Sequence, residues 1–154
     1  MPRRDAIHYI VKRALVANGW QITDDPYVIS YGERFLFVDL AASEERSKRA
    51  KGRFIGAVRN SQLIAVEIKE FRGQSAVAAL EQAIGQYTLY RLLLNQIDPQ
   101  RQLYLAVSDV DYDQILSEPI GELVINELPL NVVVVNQETE EVQQWIPPRS
   151  SQQK

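Results

Sequence analysis

The spacing of apolar residues changes several times along the chain, and each change marks an element. Ile7, Ile10, Val11, Ala14 and Leu15 recur at helical intervals, so residues 4–18 read as an amphipathic helix. It closes at Asn18-Gly19, where glycine accepts the left-handed turn of a helix end. Segments 27–30 and 35–40 read as the strands of a hairpin about Tyr31-Gly32-Glu33-Arg34. A polar connection, helical in part, is expected over 41–61. Segment 63–71 alternates, with Ile64, Val66 and Ile68 on one face and Ala65, Glu67 and Lys69 on the other.

Residues 76–97 predict the longest helix, apolar around much of its circumference and so expected to be largely buried, ended by Asp98-Pro99. A buried strand over 103–107 follows, then a helix interrupted near Pro119 and a closing hairpin of 132–135 with 142–146. The order α-β-β-β-α-β with a C-terminal helix and strands predicts an α/β fold. The expected sheet is mixed and flanked by helices, with the long helix crossing over between the third and fourth strands. A single domain is expected over 1–147, with 148–154 as a flexible tail.

Composition narrows the chemistry. With 45% hydrophobic and 24% charged residues the chain has the balance of a folded domain. It has no cysteine, which excludes disulfides, thiol nucleophiles and thiolate-bound metals, and a single histidine, His8, which excludes a two-histidine metal site. No apolar run approaches the roughly 20 residues of a membrane span, and no secretory signal is evident, so a cytoplasmic, non-membrane location is expected. The net charge of −3 conceals an asymmetry. Residues 1–108 carry fifteen basic against eleven acidic side chains, and residues 109–154 carry two against nine. A basic working face with an acidic back fits that division.

Glu67 and Lys69, two apart on a strand, share a face; taken alone, such a pair is most often a solvated strand surface. Asp39 changes the picture, because a carboxylate at the end of Phe35-Leu36-Phe37-Val38 costs desolvation unless something compensates it. Two carboxylates from neighbouring strands suit a hard cation such as Mg²⁺. A lysine beside them can neutralise charge developing on a phosphate, although a cross-strand Asp–Lys salt bridge is the common alternative. Gln86 and Tyr90, four apart, stack on one helical face and can support such a centre. The run Arg46, Lys48, Arg49, Lys51 and Arg53 falls between the strands of Asp39 and Glu67, where it can lie along a phosphate backbone. No G-x-S-x-G and no phosphate-cradling glycine loop is present.

Asp39, the strand Val66-Glu67-Ile68-Lys69 and the element order resemble the PD-(D/E)XK nuclease superfamily, and Gln86 with Tyr90 resembles the Q-x-x-x-Y motif of its RecB-like branch. From Asp5 to about Pro147 the chain more closely resembles the XisH family, cyanobacterial controlling factors for excision of a DNA element that interrupts a ferredoxin gene. The markers run in order through Asp5, His8, Gly19-Trp20, Asp25-Pro26, Val38-Asp39-Leu40, Gly85-Gln86-Tyr87, the segment 103–107 and Trp145-Ile146.

The resemblance implies a restriction-endonuclease-like sheet and Mg²⁺ or Mn²⁺ as cofactor. Asp39 and Glu67 would be metal ligands with the Ile68 carbonyl as a third, Lys69 the catalytic base or stabiliser, and Gln86 and Tyr90 their supports. Implied partners are DNA, a XisI-family protein and, in nucleases that cut both strands, a second copy. The implied activity is phosphodiester hydrolysis in element excision; the alternative is a non-catalytic factor that binds DNA or a XisI partner and controls a separate recombinase. Many nuclease relatives carry an acid on the first helix, where this chain offers only Asp5 or His8, so one or two metals stay open.

Overall fold

In the computed structural model, which describes residues 3–45, 61–71 and 75–149, alternation along Ser61–Ile68 (β5) separates two layers. Ala65 faces one side and Ile64 and Val66 the other, all fully buried. On the second side the helix Arg3–Ala17 (α1) lays down Ile7, Val11, Ala14 and Leu15, and Trp20 and Trp145 join them. On the first side lies Ala76–Ile97 (α2), with the hairpin of Tyr27–Tyr31 (β2) and Arg34–Val38 (β3).

Around β5 run Gln21–Asp24 (β1), Leu40–Glu45 (β4), Arg101–Ser108 (β6), Val132–Asn136 (β7) and Glu141–Ile146 (β8). They form a six-stranded sheet in the order β1-β4-β5-β6-β7-β8. β5, β6 and β7 are parallel, and the other neighbours are antiparallel. α2 connects β5 to β6. A short helix, Asp109–Asp111 (α3), runs on as a π-helical turn over Tyr112–Leu116 and, with Pro119–Glu127 (α4), connects β6 to β7. The fold is a mixed α/β sheet flanked by helices.

Several expectations are corrected. The 41–61 connection begins as a strand: Ala41 and Ala42 of β4 are fully buried, but alanine is a poor strand signal. β1 is a polar edge strand in which only Ile22 is partly buried, so no hydrophobic alternation announces it. The strand expected over 63–71 ends at Ile68. α2 is buried along one stripe, Ala79, Leu80, Ala83, Tyr87, Tyr90 and Leu94, while Leu89 and Leu92 are exposed. Within the expected tail, Arg149 is buried, its guanidinium 4.9 Å from the Trp20 ring centre and 5.1 Å from that of Trp145. No helix among the described residues is long and apolar enough to cross a membrane.

Candidate active site

The antiparallel register of β4 on β5 sets Leu40 opposite Val66, so the residue before Leu40 falls opposite the residue after Val66: Asp39 against Glu67. Asp39 sits at the bend where the chain leaves the β2–β3 hairpin and enters the main sheet. There its side chain takes over part of the strand ladder, Oδ2 accepting from the Ile68 N–H at 2.8 Å, while its own N–H donates to Glu67 Oε1 at 3.3 Å. Glu67 is only 8% exposed.

Beyond β5 the backbone is pinned twice, by the Lys69 N–H on the Ala106 carbonyl (3.0 Å) and by the Phe71 N–H on Asp111 Oδ2 (3.1 Å). Lys69 is thereby held beside the carboxylates at the carboxyl end of a parallel strand, where open α/β sheets bind ligands. Its Nζ donates to Gln82 Oε1 at 2.9 Å.

A cavity of about 250 Å³ opens there, lined by Ile7, His8, Asp39, Glu67, Ile68, Lys69, Glu70 and Gln86. Of the sequence candidates, Asp39, Glu67, Ile68, Lys69 and Gln86 thus share one cavity. Tyr90 lies one helical turn beyond Gln86. Burial first, and then the negative charges of Glu67 and Asp39, push its phenol above the ordinary value, so it stays neutral within their field. Asp5 lies in α1, but its side chain, like the run Arg46, Lys48, Arg49, Lys51 and Arg53, is outside the described residues.

Three contributors were not foreseen as site residues. Gln82 steadies Lys69; its signal was its position four residues before Gln86, on the same helical face. Asp25 and Lys12 hold His8 at the cavity wall, with Asp25 Oδ1 2.8 Å from His8 Nε2 and Lys12 Nζ donating to Oδ2 at 2.7 Å. Burial opposes ionisation of Asp25, but hydrogen bonds from Lys12 and His8 outweigh it and hold the carboxyl below its ordinary 3.8.

A carboxylate with a depressed folded-state pKa stabilises the fold above its unfolded pKa, and that stability is lost as pH falls through the folded value. Asp25→Asn is therefore expected to be less stable than wild type near neutrality, with the gap closing as pH falls below 3.8. Urea melts of both proteins across that range check it, and a gap independent of pH would contradict it.

The family model for XisH protein matches residues 1–143. The chain belongs to the XisH family. Its fold is shared by an fdxN element excision controlling factor protein from Anabaena variabilis, with 38% identity, a TM-score of 0.77 and coverage of 93% of this chain and 99% of that one. An XisH family protein from Nostoc punctiforme PCC 73102 is similar at 34% identity and a TM-score of 0.76, covering 92% and 98% of the two chains. No curated protein matches. Asp39, Glu67 and Lys69 of this XisH chain lie within the matched residues.

Proposed function

We propose that the Asp39–Glu67 cavity is the centre of a cation-dependent DNA endonuclease acting in element excision, built on a PD-(D/E)XK-like site. The observation that carries this reading is the opposition of the two carboxylates on neighbouring strands with Lys69 beside them. Facing carboxylates repel, and a bound cation removes that cost.

The donors fit a hard cation. Among the described residues no cluster of three or more His, Asp or Glu side chains is arranged for a metal. The ligands would be Asp39, Glu67 and the Ile68 carbonyl, with water completing the shell. An extended residue sends its N–H and C=O to the same edge, so Ile68, whose N–H donates to Asp39, turns its carbonyl to that side. An all-oxygen set suits Mg²⁺ or Mn²⁺. Such an ion, when bound, polarises the phosphate and acidifies a water.

The protein's own groups do the rest. Lys69, braced by Gln82, places positive charge where negative charge builds on the phosphate in the transition state. Gln86 offers an amide to water or phosphate. Arg46, Lys48, Arg49, Lys51 and Arg53, between β4 and β5 in the chain, would bind the flanking DNA backbone. DNA and a XisI-family protein are the proposed partners, in the cytoplasm, and a homodimer would let two sites cut both strands.

A second reading is favoured by the description of the Anabaena relative as an excision controlling factor. Here the same fold binds DNA or a XisI-family partner without cutting and controls a separate recombinase.

Titration with Mn²⁺, followed by the loss of its free-ion resonance, tests the metal centre on which the first reading depends. Asp39→Asn and Glu67→Gln are each expected to weaken binding about tenfold or more. Affinity equal to that of wild type in both variants would remove the metal centre.

A further inference from the structure

The single histidine of the chain stands on the wall of the candidate site, and its geometry assigns it a chemical role. His8 Nε2 lies 2.8 Å from Asp25 Oδ1. An ionised carboxylate only accepts hydrogen bonds, so the proton between them sits on Nε2. In the neutral ring this leaves the lone pair on Nδ1, which has no partner among the described residues.

Three of the other groups lining the cavity have roles in the proposed site. Asp39 and Glu67 are the proposed cation ligands, and Lys69, whose Nζ donates to Gln82, offers no lone pair as an ammonium. His8 lines the same cavity as Asp39, Glu67 and Lys69.

We infer that His8 is the general base of this site, taking a proton from the attacking water on Nδ1, and that Asp25 is a positioning residue that fixes the tautomer and balances the imidazolium as it forms. The inference rests on the nuclease reading. The water oxygen bonds to phosphorus and the bond from phosphorus to the departing sugar oxygen breaks. That oxygen takes a proton from solvent and His8 returns one to solvent, so each cut consumes one water. Lys12 keeps Asp25 charged and in place through the cycle.

Because the chain has one histidine, ¹⁵N-histidine labelling gives a single imidazole to read, independently of activity. The free protein is expected to show the Nε2–H tautomer, and Asp25→Asn to lose that preference; an Nδ1–H tautomer in wild type overturns the inference. In cleavage assays with Mn²⁺, His8→Ala is expected to lose roughly 10²- to 10⁴-fold in kcat with DNA affinity kept. Added imidazole should restore part of that loss, while Lys69→Ala should gain nothing from it. His8→Ala cutting at the wild-type rate, or a loss that imidazole does not relieve, overturns the role of His8 and leaves the nuclease reading standing. A wild-type protein that cuts no DNA with either cation overturns both.

Discussion

Lys69→Ala is expected to slow DNA cleavage by roughly 10²- to 10³-fold, the cost of removing one preorganised group from a developing charge, while leaving the fold intact. The two expectations separate because backbone and side chain of Lys69 do different work. The N–H continues the β5–β6 ladder on the Ala106 carbonyl whatever the side chain, whereas Nζ has Gln82 as its hydrogen-bond partner on a solvated surface. Losing that bond costs about 1 kcal/mol or less, so melting should shift by only a few degrees. Gln82→Ala should slow cleavage less, since it loosens Lys69 without removing its charge. Single-turnover rates with thermal melts of each variant provide the check, and an unchanged rate for Lys69→Ala would exclude it from the chemistry.

The largest expected effect on stability lies away from the cavity. A Cβ on Gly121 of α4 would come within 2.4 Å of the Ile115 carbonyl oxygen and 2.4 Å of Leu116 Cα, both backbone atoms of the π-helical turn. A flexible side-chain end can yield; packed backbone cannot. Alanine gains at most about 1 kcal/mol over glycine in a helix, but overpacking costs about 1–3 kcal/mol, and two backbone atoms at 2.4 Å put Gly121 at the upper end, so the clash wins. Ile115 and Leu116 are themselves buried in the first-face cluster, so the displacement spreads into the core. Gly85, within α2, has nothing within 4 Å of its virtual Cβ. Gly85→Ala therefore keeps only the helix gain, about 1 kcal/mol of stabilisation. Denaturant melts of the two variants should move in opposite directions, and a Gly121→Ala protein as stable as wild type would refute the close approach.

How far the molecule could be read beforehand depended on where the information lay. The C-terminal end of α2 was legible because Asp98-Pro99 is a local stop, and the structure adds a Ser75 Oγ cap on the Ala78 N–H at its start. The closing β7–β8 hairpin was legible from its valine run and polar turn. β4 was not, because Ala41 and Ala42 suit a crowded central position that alanine propensity does not announce.

The same division holds at the site. Alternation along β5 put Glu67 and Lys69 on one face, and the neighbouring strand end supplied Asp39. The exact opposition of the carboxylates came from the register of β4, an element the hydrophobic pattern had not revealed. Gln82 was within reach of helical periodicity. Asp25 was not, since it meets His8 across 17 residues of chain through the packing of α1 against the turn after β1.

The most direct test of the site is cleavage of plasmid, single-stranded and branched DNA by the wild-type protein in Mg²⁺ or Mn²⁺, with a XisI-family partner absent and present. The same series is run in EDTA and with Lys69→Ala. Cutting that requires the cation and is slowed roughly 10²- to 10³-fold in Lys69→Ala is the predicted result. Substrates left intact by the wild-type protein under every condition, partner present or absent, would contradict it and leave the non-catalytic controlling factor as the reading of this fold.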